Sequence, residues 1–350
     1  MIDRRLLLSF DWKIFLLTLI IAAIGIAEIY STTTPPVATE IAREVDATEP
    51  RVNNPYLVRS QSQNFWEKQM LWVGIGIVVL FFITLFDYHS IVKYGYFFYA
   101  LAMILLVSLF MLGVVRSGSK RWIDVGFFSV QPSEIVKLSL VICLAKYFGE
   151  SKKKDSYSLR ELAVPLAFIL PPFLLILLQP DLGTAVSLML ISVCLIYAAG
   201  IKKRSAFYAG LFGLASSAVM WNFLKGYQKQ RILSFFDPSK DPLGSGYHTL
   251  QSEIAIGSGG IAGRGFLNGT QGQLNFLPEH HTDFIFSIIA EEWGFLGSLV
   301  FLILIFSLIY LCVRASRNAK DRIAALLCFG VTAMISLNII INIGMAVGLL

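Results

Sequence analysis

The chain has 350 residues, of which 56% are hydrophobic and only 15% are charged. The apolar residues form long continuous blocks, which excludes a soluble globular enzyme and predicts a polytopic α-helical membrane protein. The net charge of +6 is concentrated in the loops between these blocks, and this placement argues against a nucleic-acid-binding surface.

Nine apolar blocks are candidate membrane spans. In chain order they cover residues 13–30, 68–86, 94–115, 133–149, 162–178, 183–200, 205–222, 284–312 and 323–350. The first block has no small-residue cleavage site behind it, so we interpret it as a retained span and not as a signal peptide. The sequence therefore predicts an all-α polytopic membrane protein, organised as a single domain over residues 1–350.

Basic residues indicate how the spans are oriented. They cluster in alternate loops, at residues 4–5, 93, 152–154, 202–204 and 314–322. Short loops rich in Lys and Arg stay on the cytoplasmic side of a membrane. The N-terminus is therefore predicted to be cytoplasmic, and the loops in between are predicted to lie outside.

Two of the predicted outer loops are long. Loop 31–67 is polar, carries mixed charge and has little apolar content, which is typical of an irregular segment. Loop 223–283 contains apolar patches, turn residues and a glycine-rich stretch. This composition predicts a folded extracytoplasmic cap with interfacial or re-entrant half-helices, and chemistry outside the membrane is expected there.

The cap ends in a titratable run, Pro278-Glu279-His280-His281-Thr282-Asp283, which leads directly into the eighth apolar block. A charge beside hydrocarbon is costly unless it is paired or functional. Asp283 is either an N-cap of the following helix or a general base. The cluster of Glu279, His280, His281 and Asp283 could also bind a divalent cation, although its spacing is not a standard helical ligand pattern.

Glu134 and Lys137 lie three residues apart at the start of the fourth span. On a helix this spacing places them on one face, which favours a salt bridge directed into the helix bundle. The alternative is that Glu134 only suits the first turn of the helix while Lys137 extends outward to the membrane surface.

Other predicted outer segments carry polar residues that have either a structural role or a role in substrate binding. The basic residues of these segments either bind an anionic group such as a pyrophosphate or anchor the chain to lipid headgroups. Asp181, in the turn 179–184, is an N-cap or a substrate contact. The glycines of 257–265 permit turns and close packing, or form a backbone nest for phosphate. The basic residues are Arg116, Lys120, Arg121, Lys225, Lys229 and Arg231.

Five motifs in this order resemble the SEDS family (shape, elongation, division and sporulation), and the resemblance covers nearly the whole chain. Residues 251–292 resemble the rod-shape members of the family more than the division members, because of Gly269-Thr270-Gln271 and the run 278–286. The five motifs are Arg121-Trp122-Ile123, Gln131-Pro132-Ser133-Glu134 with Lys137, Gln179-Pro180-Asp181-Leu182-Gly183-Thr184, Arg231-Ile232 with Phe236-Asp237-Pro238, and the glycine-rich cap.

The resemblance implies a peptidoglycan glycosyltransferase of the bacterial cytoplasmic membrane, which polymerises lipid II outside the membrane together with a class B penicillin-binding protein. It implies nine to ten transmembrane helices, since the family continues into a Pro-rich outer loop and a tenth span. Asp283 matches the catalytic aspartate of the family, and Glu134 with Lys137 matches its intramembrane ion pair. The candidates for substrate binding are Arg121, Arg231, Gln251 and Thr282.

Two other function classes remain open from the sequence. A flippase or transporter of lipid-linked cell-wall precursors would use the same intramembrane charges as a pathway. A scaffold that only recruits a synthase would leave the polar run ending at Asp283 unexplained.

Overall fold

The structure, a computed structural model, describes residues 10–33, 65–116, 119–124, 126, 128–151, 156–223, 226, 229, 245–273 and 282–349. Within these ranges, nine helices of 16 residues or more coincide with the nine predicted spans. They are α1 (Trp12–Thr33), α2 (Phe65–Thr84), α4 (Gly95–Leu112), α5 (Pro132–Glu150), α6 (Ala163–Leu178), α7 (Leu182–Ala199), α8 (Lys203–Phe223), α11 (Ile285–Arg317) and α12 (Arg322–Ala346).

Shorter elements complete the described chain. Helices α3 (Tyr88–Lys93), α9 (Ser245–Gly259) and α10 (Thr270–Gln273) lie between the long ones, and a 3₁₀ turn covers Leu159–Leu162. Helices α9 and α10 belong to the predicted cap, so the described part of the cap does contain helices of its own. Most of loop 31–67 lies outside the described residues.

Seven helices of the described chain are long and apolar enough to cross a membrane on their own. Helices α5 and α8 are not among them. Helix α5 carries Glu134, Lys137, Lys146 and Glu150, and α8 begins with basic residues, so both are more polar than the other seven. The chain is a multi-pass membrane protein, and the exact number of its spans stays a prediction.

The chain forms two compact units. The first contains Met1–Leu85, Gln230–Leu308 and Ile339–Leu350, and the second contains Phe86–Lys229 and Ile309–Asn338. The predicted extracytoplasmic cap belongs almost entirely to the first unit, whereas the predicted ion pair of Glu134 and Lys137 belongs to the second. The organisation as a single domain stays a prediction.

Helix α5 is the centre of the second unit. Val136, Leu140, Leu144 and Phe148 recur every four residues along it and are at most 1% exposed. They pack against α4, α6 and α7. Lipid tails are as apolar as these side chains, so close van der Waals packing holds the helices together here, and not removal of apolar surface from water.

A small antiparallel sheet lies between α4 and α5, where the sequence had suggested only a loop. Its strands are β1 (Val114–Arg116), β2 (Ser119–Asp124) and β3 (Ser129–Val130), in the order β1-β2-β3. Val114 pairs with Trp122, and Ile123 pairs with Val130. The sheet positions Arg121, one of the predicted substrate-binding residues, on its central strand.

A polar contact joins the starts of α3 and α12 in the second unit. The Tyr88 hydroxyl donates a 2.7 Å hydrogen bond to Asp321 Oδ2, and the Ala324 N–H donates to Asp321 Oδ1 at 2.7 Å. The hydrogen bond to Asp321 raises the pKa of Tyr88 to about 12. The pKa of Asp321 is lowered, first by the Ala324 N–H and then by Tyr88.

Candidate active site

Helix α11 is broken at Gly294, two residues after a pair of buried glutamates. Gly294 has φ 68° and ψ −165°, and a Cβ atom there would lie 2.2 Å from the backbone nitrogen of Gly263. Only glycine permits both this conformation and this close approach. The first part of α11 is therefore a separate half-helix that leads away from Asp283.

The glycine-rich stretch 257–265 fills the break in α11. The N–H groups of Arg264 and Gly265 donate to the carbonyls of Glu291 and Glu292 at 3.0 and 2.9 Å, and the Phe295 N–H donates to the Gly260 carbonyl at 2.9 Å. These bonds satisfy backbone groups that the break would otherwise leave unpaired. The prediction of close packing by these glycines is confirmed. The N–H groups of residues 263–265 already have partners, so they do not form a phosphate nest.

Asp283 lies in a turn immediately before α11, as predicted. Its side chain and that of Thr282 are exposed, whereas Phe284 and residues 286–290 are buried. The exposed position suits a group that must meet a substrate, and the assignments of a cap or a base to Asp283 stay predictions.

The predicted cation ligands Glu279, His280 and His281 lie outside the described residues. In the part of the chain that the structure describes, no group of three His, Cys, Asp or Glu residues could hold a metal ion. A divalent cation near Asp283 therefore stays a prediction.

Helix α9 packs against the residues that follow Asp283. The Ser252 and Ser287 hydroxyls lie 2.5 Å apart, and the Ser252 hydroxyl also donates to the Ala346 carbonyl at the end of α12. The His248 ring lies 6.3 Å from the ring of Phe284, the neighbour of Asp283. Gln251, a predicted substrate-binding residue, lies on the same helix and is half-buried. His248, which sequence reasoning did not single out, thus contacts the residue next to Asp283.

Two buried carboxylates anchor the cap to α11. Glu291 and Glu292 are 0% and 2% exposed. Glu291 Oε1 accepts hydrogen bonds from the Thr270 N–H at 2.7 Å, the Thr270 hydroxyl at 2.9 Å and the Gln271 N–H at 3.2 Å. Glu292 accepts from the Leu267 N–H at 3.2 Å and from the Ser31 hydroxyl of α1. The sequence showed both glutamates close to the polar run, but it gave no indication of their partners.

Glu28 of α1 is a third buried carboxylate in this region. It is 0% exposed, and its polar neighbours are Glu292 and the Trp293 side chain. Among the described residues, no group reaches either of its oxygens with the geometry of a hydrogen bond. Sequence reasoning missed this residue, although a single acidic residue within the first apolar block was the signal that could have identified it.

The ion pair predicted in the second unit is present. Lys137 Nζ lies 2.8 Å from Glu134 Oε1. The Lys137 side chain is 2% exposed and that of Glu134 is 47% exposed. The alternative in which Lys137 extends outward is therefore wrong, and the buried partner of the pair is the lysine.

The turn 179–184 of the second unit binds Arg121. The Asp181 carboxylate caps α7, since it accepts from the Thr184 N–H at 3.3 Å and the Thr184 hydroxyl at 2.8 Å, so the N-cap prediction is confirmed. Arg121 Nη2 donates to the Pro180 carbonyl at 2.9 Å, and Arg121 Nε lies 3.5 Å from Asp181 Oδ2. Arg121 is thus fixed by protein groups, and its substrate contact stays a prediction. Arg231 lies outside the described residues.

Residues 52–350 match the family model FTSW_RODA_SPOVE, which describes a cell cycle protein. The chain belongs to this family. It is the SEDS family that the motifs had indicated, and the match includes every predicted site residue from Arg121 to Asp283.

Curated SEDS relatives are similar over most of their length. The chain is 35% identical over 291 residues to the peptidoglycan glycosyltransferase MrdB of Escherichia coli K12, which covers 83% of this chain and 78% of MrdB. It is 30% identical over 416 aligned positions to the peptidoglycan glycosyltransferase RodA of Treponema pallidum, covering 98% of this chain and 90% of RodA.

A solved structure shares the fold. The chain superposes on one chain of a peptidoglycan synthase complex with a TM-score of 0.77 and 26% sequence identity. The superposition covers 98% of this chain and 89% of that one. The prediction of an all-α polytopic membrane fold is confirmed.

Proposed function

We propose that this chain polymerises lipid II into β-1,4 glycan strands at the outer face of the bacterial cytoplasmic membrane, for cell-wall elongation and rod shape. The chain is a peptidoglycan glycosyltransferase, as its curated SEDS relatives are. The observation that carries the site assignment is the position of Asp283, exposed in the turn before a half-helix whose next residues are buried.

In the proposed reaction Asp283 is the general base. Its carboxylate takes the proton from the sugar 4-hydroxyl of an acceptor lipid II, and the oxygen then attacks the anomeric carbon of the growing strand. The bond to undecaprenyl pyrophosphate breaks, and this group leaves. A single displacement inverts the configuration at the anomeric carbon, gives a β-1,4 linkage and needs no enzyme nucleophile. The protein therefore only has to position two substrates and accept one proton.

Charge on the departing pyrophosphate needs cationic donors. Arg121 and Arg231 are proposed for this role, because a guanidinium binds phosphate oxygens through two parallel hydrogen bonds. Arg121 is already oriented by Pro180 and Asp181, so little further ordering is needed when a pyrophosphate binds. Gln251 and Thr282 are proposed as polar contacts to the sugars, since both lie next to the elements that carry Asp283.

The Glu134–Lys137 pair is proposed to support the site from within the membrane. A lysine ammonium that is only 2% exposed needs its partner carboxylate to remain charged. Of the two side chains, the half-exposed Glu134 is the one that a polar group of the substrate could contact.

A class B penicillin-binding protein is the proposed partner. The supporting observation is the structural similarity to a chain of a peptidoglycan synthase complex. The proposed location is the bacterial cytoplasmic membrane with the N-terminus in the cytoplasm, which follows from the distribution of basic loops.

The proposal is tested with purified lipid II. The protein is incubated with lipid II with and without a cognate class B penicillin-binding protein, and once more with a chelator to examine the predicted divalent cation. We expect glycan strands, detected by gel electrophoresis, and release of undecaprenyl pyrophosphate. Lipid II movement across proteoliposomes without any polymer would instead establish the flippase and contradict the transferase.

A further inference from the structure

Three buried carboxyl groups lie close together where α1 contacts the half-helix of α11. Glu28, Glu291 and Glu292 are each at most 2% exposed. A Cβ atom at Gly269 would lie 3.0 Å from Glu292 Oε1 and 3.3 Å from Glu291 Oε2, and Glu28 is the next neighbour of Glu292. Three negative charges in one buried place repel each other. Neutralising the group therefore needs either cations or a proton.

Glu291 has the partners that a charged carboxylate requires. Its Oε1 atom accepts three hydrogen bonds from Thr270 and Gln271. Arg264 Nη1 lies 3.9 Å from the same oxygen. An ionised carboxylate only accepts hydrogen bonds and is stabilised by a nearby cation. This arrangement suits a charged Glu291 and uses the one cation of the contact network.

Glu28 has the opposite surroundings. Its neighbour Glu292 accepts hydrogen bonds from the Ser31 hydroxyl and the Leu267 N–H, whereas no donor in the described chain reaches either oxygen of Glu28 with suitable geometry. A buried carboxylate without donors is costly, but a protonated carboxyl group is neutral. The hydrogen-bond donors therefore point to Glu28 as the member that holds a proton.

The other charged groups of the described elements around Glu28 do not compensate it. Helix α10, which packs against α1, carries no charged residue. Helix α2 also packs against α1 and carries Glu67 and Lys68 in its first turn, and both are exposed. The charge that acts on Glu28 is that of Glu292. Loss of the proton would thus place two like charges side by side.

The same turn of α1 makes the contacts with α10 and α11. Ser31, three residues after Glu28, donates to Glu292, and Thr32 Cγ2 would lie 3.3 Å from a Cβ atom at Gly272 of α10. Residues three apart on a helix share a face. A negative charge on Glu28 would therefore act directly on the face through which α1 is attached.

We propose that Glu28 and Glu292 form a proton-dependent contact: Glu28 is protonated when α1 is packed on the half-helix, and loss of this proton releases the turn of α1 at residues 28–32. In the unfolded chain Glu28 is in water and ionised at neutral pH. The folded protein then binds one more proton than the unfolded chain, so the stability from this contact is present at low pH and is lost as the pH rises.

Infrared spectroscopy of the complete protein in detergent detects the proton directly. We expect the wild type at neutral pH to show the C=O stretching band of a protonated carboxyl group, and we expect Glu28→Gln to lose it. Glu253→Gln is the matched control, because Glu253 is an exposed glutamate on α9, and it should keep the band. If Glu28→Gln does not fold, Glu28→Met, of similar size and without a titratable group, takes its place.

Thermal unfolding of the same proteins measures the linkage. From about pH 6 to about pH 8, the folding equilibrium constant of the wild type should fall about tenfold per pH unit relative to that of Glu28→Gln, which is the effect of one proton. Glu253→Gln should follow the wild type.

Release of α1 is measured by labelling Thr32→Cys, whose position is 7% exposed, with a water-soluble maleimide. Its rate is divided by that of the exposed Glu253→Cys, because thiol reactivity itself rises with pH. This ratio should rise with pH in the otherwise wild-type chain and stay constant when Glu28→Gln is added. A carboxyl band of equal size in wild type and Glu28→Gln, or equal pH slopes, would overturn the protonation of Glu28; a constant labelling ratio in the wild-type chain would overturn the release of α1. None of these measurements uses a substrate, so they stand apart from the proposed reaction.

Discussion

At the scale of single residues, the two members of the intramembrane ion pair are not equivalent. Lys137 is 2% exposed and Glu134 is 47% exposed, at 2.8 Å from each other. Removing the carboxylate leaves a buried ammonium without its partner, whereas removing the lysine leaves a carboxylate that is half accessible. Loss of the glutamate is therefore the more harmful change.

We predict that Glu134→Gln destabilises the protein by about 3–5 kcal/mol, and that Lys137→Met does so by clearly less. The double variant Glu134→Gln/Lys137→Met should be more stable than Glu134→Gln alone, because it buries no unpaired charge. Thermal unfolding of the purified proteins in detergent measures this order. Equal Tm values for Glu134→Gln and the wild type would mean that Lys137 has another partner.

Glu28 is a buried carboxylate that the structure leaves without a hydrogen bond of good geometry from the described residues, and its neighbour is the carboxylate of Glu292. Two adjacent acidic groups in a buried site repel each other when both are charged. We predict that Glu28→Gln raises stability by about 1–3 kcal/mol at a pH high enough to ionise both carboxyl groups, measured as an increase in Tm. The exposed Glu253→Gln provides the control for a general effect of charge, and a lower Tm for Glu28→Gln would contradict the prediction.

At the scale of elements, the break in α11 and the glycine-rich stretch form one structure. Gly263 has φ +80°, and a Cβ atom there would lie 2.2 Å from the Glu292 carbonyl oxygen. The obstacle is backbone on a buried half-helix, so it cannot move aside as a flexible side chain would. Because Gly263 has no side chain, its backbone can pack directly against the half-helix that begins beside Asp283.

We predict that Gly263→Ala is destabilising by at least ~1–3 kcal/mol from backbone strain alone, with a further loss from the clash, and that polymerisation falls with it. Gly257→Ala is the matched control, because Gly257 lies within α9 and has no atom within 4 Å of the place its Cβ would occupy. It should be neutral or slightly stabilising, since alanine favours a helix more than glycine does. Similar Tm values for the two variants would show that the backbones of Gly263 and Glu292 are further apart than the structure places them.

At the scale of the whole molecule, the long helices follow directly from the sequence. Apolar blocks of this length can satisfy their backbone groups in lipid only as helices, so the nine predicted spans are helical with ends shifted by a few residues. The ion pair of Glu134 and Lys137 was predictable for a similar reason, since residues three apart on a helix are neighbours.

The features that the sequence did not predict depend on contacts between distant segments. At the break in α11, the backbone of Gly294 packs against the backbone of Gly263. The buried Glu28 lies beside Glu292, which is more than 260 residues further along the chain. The strands β1 to β3 are too short for periodicity to distinguish them from a loop. Asp283 was found by its position between polar and apolar residues, whereas the contacts of Glu291 with Thr270 and of His248 with Phe284 emerge only when α9, α10 and α11 are placed together.

The polymerising activity of an Asp283 variant decides whether Asp283 is the base of an inverting glycosyl transfer. Polymer formation from purified lipid II, in the presence of a class B penicillin-binding protein, is compared for the wild type, Asp283→Asn and the control Asp124→Asn on strand β2. Asparagine keeps the size of the side chain and removes its ability to take a proton. We predict strands from the wild type and Asp124→Asn and none from Asp283→Asn, with partner binding and Tm unchanged. Strands from Asp283→Asn at a rate near that of the wild type would contradict the role of Asp283 as the base.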